Sequence, residues 1–291
     1  MANLKEIRNR IASVSSTMQI TSAMKMVSAS KLRRAQDAIL QLRPYAQKLT
    51  EIMSNVSSSI SDSGVVFTKK GDGKRLLIIS ITSNRGLCGA FNSNVIKEVS
   101  SIINERAETR EITVLSIGRK SEDFFKKTDY GIIGTVLPKN LSRVFDNLNF
   151  EFVSDVAGQI MHAFATKQFD EVIMVYNQFK NAAVQNVQRE NFLPILPPEK
   201  QEDENDSDYI FEPEKSGIVK ELIPKSLKIQ LYKAILDSYA SEHGARMTAM
   251  HKATDNASDL IDELKLIYNK ARQASITGEI MEIVAGAEAL S

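Results

Sequence analysis

The sequence predicts an α/β protein. The two chain ends form a long antiparallel coiled coil, and the middle folds as an α/β domain. Three observations carry this reading. A heptad spacing of apolar residues runs through the first 60 residues, a second such spacing begins at Ala240, and strand-like runs alternate with helix-periodic stretches between residues 74 and 197.

The N-terminal seam steps in alternating threes and fours from Leu4 through Ile7, Ile11, Val14 and Met18, and on from Leu32 to Ile60. Fourteen of its seventeen positions are apolar. A helix over residues 4–60 would extend roughly 85 Å, with a bend expected at Pro44 because proline removes a ladder donor. The three polar exceptions, Thr21, Lys25 and Ser28, are consecutive. Around them the apolar residues move off the seam to Met24, Met26 and Val27. Two explanations stand: a helix pair that packs against a third body, or a local stutter in the coiled coil.

The C-terminal seam visits Ala240, His243, Met247, Met250, Thr254, Ala257, Ile261, Leu264, Tyr268, Ala271, Ser275 and Gly278. Small residues recur on this helix (Ala253, Ala257, Ala271, Ala274, Ser275), and they allow close approach of a neighbour. A helix is predicted from about Lys225, just after Pro224, to about Ala289. Pairing of the two ends within one chain is the simplest arrangement; parallel pairing between two copies is its rival.

In the middle, KRLLIISI (74–81), EITVLSIG (111–118), IIGTVL (132–137) and DEVIMVYNQF (170–179) read as strands. Residues 91–107, RKSEDFFKKT (119–128) and 141–167 read as helices, and 181–195 as an antiparallel addition. Alternation of this kind gives a mostly parallel sheet between helical layers. The predicted organisation is residues 1–60 as the N-terminal helix, 74–197 as the α/β domain, 198–217 as an acidic loop insertion and 225–289 as the C-terminal helix.

Composition narrows the function. The 291 residues are 43% hydrophobic and 25% charged with net charge +1, which argues against nucleic acid as the main partner. The charge is uneven. Residues 1–60 hold nine Lys/Arg against three Asp/Glu, whereas 199–215 hold eight acidic and two basic residues. The single cysteine, Cys88, excludes an internal disulfide framework and suits a reducing cytoplasm. The longest apolar run, LLIISI, is far short of a membrane span, and the N-terminus has no apolar signal-peptide core. The loop TSNRGLCGAFN (82–92), between a strand and a helix, is where a doubly wound fold would bind phosphate. It lacks both G-x-G-x-x-G and a Gly-Lys-Ser/Thr ending, so a structural turn is the plainer reading. The histidines, His162, His243 and His251, have no metal-ligand spacing, and no catalytic constellation emerges.

Two long stretches carry a resemblance. KEIRNRIASV…TMQITSAMKMVSASKLRRAQ at the start and RMTAMHKATDNASDLIDELKLIYNKARQASITGEIMEIVAGAEAL at the end closely resemble the gamma subunits of F-type ATP synthases. The tail run Ile276-Thr277-x-Glu279-x-x-Glu282-x-x-x-Gly286-Ala287-x-Ala289 matches the family pattern, and the 82–92 loop is similar, with Asn84 where the family usually has Asp. Gly278 stands where Gln is common, and the acidic segment 199–208 is longer than usual. The resemblance implies a Rossmann-like middle domain and a rotary stalk without catalytic residue, cofactor or metal. It implies partners in the alpha and beta subunits, the epsilon subunit and the c ring, with membrane association only through that complex, on the cytoplasmic face of a bacterial inner membrane. By motif position, Met24, Arg246 and Gln273 correspond to contacts with the alpha/beta hexamer; Lys25, Lys31, Arg33 and Arg34 add positive charge there. The alternatives are an α/β enzyme using the 82–92 loop for a nucleotide or phosphate, and a self-associating scaffold.

Overall fold

A computed structural model describes residues 4–55, 66–68, 71–132, 137–138, 141–146, 148–195 and 215–288. The elements are helix α1 (Leu4–Asn55), strand β1 (Arg75–Ile81), α2 (Phe91–Arg106), β2 (Glu111–Ile117), α3 (Arg119–Phe125), α4 (Phe150–Ala165), β3 (Glu171–Phe179), β4 (Gln185–Leu193) and α5 (Lys215–Glu288). The chain divides into two compact units, Met1–Ala29 with Arg246–Ser291, and Ser30–Ala245.

In the first unit, α1 and α5 pair side by side and antiparallel. Contacts climb α1 as they descend α5: Arg8 Nη2 donates to the Tyr268 hydroxyl at 2.8 Å, the hydroxyls of Thr21 and Thr254 meet at 2.8 Å, and Lys25 Nζ lies 3.3 Å from His251 Nδ1. Pairing within one chain is therefore the arrangement, not the parallel rival. Every seam position of α1 from Leu4 to Leu49 is buried or half-buried, and so is every seam position of α5 from Ala240 to Gly278.

The second unit holds a four-stranded sheet in the order β2-β1-β3-β4. β1 pairs in parallel with both β2 and β3, and β4 runs antiparallel to β3. β1 is covered on both faces, which explains why residues 76–81 are apolar at every position but one. Leu77, Ile79 and Ile81 pack with α4 (Val153, Ile160) and α5 (Leu227, Leu231). Leu76 and Ile78 pack with α2 (Val95, Val99, Ile102) and Phe125. The one polar residue among them, Ser80, is fully buried and accepts a hydrogen bond from Ser121 Oγ at 2.8 Å.

Several boundaries differ from the sequence reading. The predicted helix over 141–167 begins only at Phe150, because Asn149 Oδ1 accepts the backbone N–H of Phe152 and caps it; residues 142–145 form a 3₁₀ turn instead. α5 starts at Lys215 and runs through Pro224 rather than starting after it. A proline removes only one ladder bond, and the burial of Ile223 and Leu227 beside it holds the helix together. Pro44 likewise leaves α1 uninterrupted. Of the strand expected at 132–137, residues 133–136 lie outside the described residues; Gly131 forms a single parallel bridge to Val114. Residues 56–65 and the acidic segment 199–208 also lie outside them.

Asp237 is a buried carboxyl of this unit. Burial pushes the Asp237 carboxyl up to about 6, against the pull of Lys233 and Arg43, with Glu190 adding to the rise. The folded chain thus keeps a proton that the unfolded chain, at 3.8, releases. Stability from this group is full below about pH 4 and is lost as pH rises through about 6. Asp237→Asn is expected to raise stability at pH 8 by on the order of 2–3 kcal/mol and to flatten this slope. Urea unfolding midpoints at pH 4.5 and 8 measure it, and an unchanged pH dependence in the variant would show the charge is not buried at cost.

Candidate functional site

The polar stretch of the α1 seam does not leave the interface. Thr21 and Ser28 are buried, and the Thr21–Thr254 bond lets two hydroxyls satisfy each other inside the pair. Lys25, half-buried, faces His251, which in turn meets Asp255 at 3.3 Å. The seam therefore does not stutter. The displaced apolar side chains lie outside it: Met24 is half-buried, whereas Met26 is 66% and Val27 57% exposed, with Ile20 similarly bare.

The remaining expected contact residues separate by unit. Met24, Lys25, Arg246 and Gln273 fall in the first unit; Lys31, Arg33 and Arg34 fall in the second. Lys31, Arg33 and Arg34 are exposed around the buried Leu32 and Ala35, so helix periodicity turns the charges outward. Gln273 is exposed, but Arg246 is only 7% exposed and is packed largely within its own chain. The resemblance implies a contact with the alpha/beta hexamer at this position. Arg246 and Gln273 are 27 residues apart on one helix, roughly 40 Å, so they cannot form a single site.

Another surface went unremarked in the sequence. The observed pairing sets residue 8 beside 268 and residue 25 beside 251. Continued residue by residue, it sets Leu4, where α1 begins, beside about residue 272, so that no residue of α1 lies opposite the stretch of α5 from Ile276 onward. Ile276, Ile280, Met281, Ile283 and Val284 are all exposed there, Ile283 at 71%. Comparing the two seam lengths in register would have located this tip. A Cβ at Gly278 would meet nothing within 4 Å, so a longer side chain fits at that position. Arg8 clasps the pair near its end, its guanidinium 5.8 Å from the centre of the Tyr268 ring. Its hydrogen bond holds the Tyr268 phenol below its ordinary value.

The 82–92 loop is closed on itself. The first three amides of α3, which would attract an anion, are already bonded: Arg119 N–H to Asn84 Oδ1, Lys120 N–H to the Ser83 carbonyl and Ser121 N–H to Thr82 Oγ1. Asn92 Oδ1 accepts the Ser83 N–H, and Asn84 Nδ2 donates to the Ser142 carbonyl at 2.7 Å. Cys88 is buried, with Asn92 Nδ2 donating to its sulfur at 3.2 Å. Gly118, at φ 110°, passes so close to Thr82 that a Cβ would lie 2.1 Å from the Thr82 carbonyl oxygen. Among the described residues, no group of three or more His, Cys, Asp or Glu is placed to hold a metal, and no helix is long and apolar enough to cross a membrane.

Comparisons with known proteins agree with this architecture. The sequence profile of the ATP synthase family matches residues 3–290. The ATP synthase gamma chain of Flavobacterium psychrophilum is 59% identical over 100% of this chain and 99% of its own length. That of Flavobacterium johnsoniae is 56% identical over the full length of both. Among solved structures, a chain of the Tetrahymena thermophila mitochondrial ATP synthase central stalk and c ring is 26% identical, with a TM-score of 0.55, covering 80% of this chain and 99% of that one. A chain of the Euglena gracilis mitochondrial ATP synthase shares the fold at 21% identity, with a TM-score of 0.68, covering 99% of this chain and 94% of that one. Matched from end to end by these gamma chains, and folded as a paired-helix rod with an α/β domain, the chain belongs to the ATP synthase gamma chain family.

Proposed function

We propose that this chain is the central stalk subunit of a rotary F-type ATP synthase. It transmits torque between the membrane c ring and the alpha/beta hexamer, and so couples proton or sodium translocation to ATP synthesis. The observation that carries the reading is the apolar end of α5, with five large side chains bare where α1 no longer covers them. A helix with this much exposed apolar surface belongs inside another body. The hexamer's central cavity, with which family members engage, is that body. Met24 and its exposed neighbours Met26 and Val27 contribute a second apolar contact lower on the pair, and Gln273 lies near the tip.

In this reading Lys31, Arg33 and Arg34 form a basic band facing acidic segments of the beta subunits. Each exposed ion pair contributes only about 0–1 kcal/mol, so contacts exchange as the stalk turns instead of locking it. Arg246, mostly enclosed by its own chain, supports the pair from within as well as presenting charge at its edge. The subunit carries no catalytic residue and no cofactor, binds the epsilon subunit, and meets the cytoplasmic face of the bacterial inner membrane only through the complex. The rival reading, a phosphate- or nucleotide-using enzyme at the 82–92 loop, meets a loop whose Thr82, Ser83 and Asn84 already bond the first three amides of α3 and whose Cys88 is buried.

The direct test is co-purification with alpha and beta subunits, with one copy of this chain expected per three of each. Arg33→Gln combined with Arg34→Gln is expected to lower ATP-driven ion pumping per ATP hydrolysed in reconstituted vesicles, with the melting temperature of the free subunit unchanged. Arg246→Ala is expected to lower coupling and also the melting temperature, because its side chain is enclosed; Arg246→Lys recovers only part, since a point charge cannot replace a planar fork. Unaltered coupling in all three would take these residues out of the torque path. The isolated chain is expected to hydrolyse no ATP. Saturable turnover by pure protein, lost on changing Arg85, would instead establish the enzyme reading.

A further inference from the structure

At the end of the sheet opposite the 82–92 loop lies a cavity of about 560 Å³. It is formed by the last turn of α2, the start of β3 and the end of β4, and its walls carry Arg106, Arg110, Arg189, Asp170, Glu171 and Ile173. Three guanidiniums converge here. Arg106 Nη1 donates to Glu171 Oε1 at 2.8 Å, Arg110 Nη1 donates to the other Glu171 oxygen, and Arg189 Nη1 donates to Glu105 at 3.1 Å.

The carboxylates are already engaged. Both oxygens of Glu171 are held by arginines, and Asp170 takes the backbone N–H groups of Lys74 and Arg75 together with the Arg75 guanidinium. The arginines are not saturated: each has five N–H donors, and each of the three makes one hydrogen bond among the described residues. One guanidinium balances the charge of one carboxylate, so two arginines on Glu171 leave a positive charge and a fan of donors in a concave, partly enclosed space.

We propose that this cavity binds a small phosphate-bearing anion through Arg106, Arg110 and Arg189. A tetrahedral, multiply charged oxyanion can accept from three guanidinium edges at once, one more than the Glu171 carboxylate engages. Among the described residues, the lining has Ile173 as its large apolar side chain and no aromatic ring for a base to stack on, so the phosphate and not a nucleoside is the recognised part. Glu171 acts as a resident competitor that keeps the two arginines in place.

The test is calorimetric titration of the full chain with orthophosphate, pyrophosphate and ADP at constant ionic strength, with chloride as the control. One saturable site is expected for pyrophosphate. Arg106→Gln and Arg189→Gln each weaken it roughly tenfold or more, and Glu171→Gln tightens it by releasing two guanidiniums. Arg189 pairs with the exposed Glu105, so Arg189→Gln keeps the test valid if Arg106→Gln fails to fold; circular dichroism reports which variants are intact. ADP binding no tighter than pyrophosphate assigns the site to inorganic phosphates, and tighter ADP binding assigns it to nucleoside phosphates. No saturable binding to folded wild-type chain overturns the proposal. So does binding that folded Arg189→Gln leaves unchanged, or that folded Glu171→Gln does not strengthen.

Discussion

The register between α1 and α5 is the constraint on which the stalk reading depends. Two amphipathic helices with apolar seams could slide by one heptad at modest cost, because one apolar layer resembles the next. The Thr21–Thr254 bond opposes that freedom. A slip of seven residues would put Thr21 opposite Met247 or Ile261 and lose this bond, worth about 0.5–1.5 kcal/mol, while each hydroxyl kept the carbonyl of its own helix, Met18 or Met250. Lys25 with His251, and Arg8 with Tyr268, repeat the same setting at the surface. Polar residues in the seam give up some apolar burial and fix where the bare tip of α5 begins.

This also explains which parts of the fold were legible in the sequence. The seams could be read from Leu4 to Leu49 and from Ala240 to Gly278 because burial of one stripe imposes a period that side chains must follow. Strand β1 was legible because burial on both faces forbids polar side chains except Ser80, whose partner Ser121 comes from α3. The polar run at Thr21, Lys25 and Ser28 was misleading, since the pattern of one helix cannot display a hydroxyl partner 233 residues away on another. The start of α4 was missed for a local reason: apolar spacing continues through 141–149, and only the Asn149 cap decides where the helix begins. The depth of Arg246 was hidden in the same way, because periodicity assigns a face and not the packing that closes over it.

The two ends of the sheet contrast in their use of charge. At the carboxyl ends of the parallel strands, where doubly wound folds place ligands, amides that could hold an anion are consumed by Thr82, Ser83 and Asn84. Asn84 is suited to this because its side chain accepts from Arg119 and donates to Ser142 together; an aspartate there could only accept. At the other end, arginines outnumber the carboxylate they share. Burial alone would raise the Glu171 carboxyl, but the guanidiniums of Arg106 and Arg110 outweigh it and hold it below the usual range.

Within the stalk reading, the two kinds of exposed surface have different consequences for rotation. Apolar contact is non-directional and scales with area removed from water, at about 25 cal/mol per Å². If the tip residues Ile276 to Val284 stay covered at every angle, their contribution changes little as the helix turns, and the surface behaves as a bearing. A basic band such as Lys31, Arg33 and Arg34 behaves otherwise, because Coulomb energy depends on the distance to each acidic partner. Its contribution rises and falls with angle, and salt screens it beyond about 8–10 Å. The chain therefore separates a contact that holds position from one that senses it. The first is built from isoleucine, methionine and valine on the stretch of α5 that α1 does not cover; the second is built from lysine and arginine turned outward by the burial of Leu32 and Ala35.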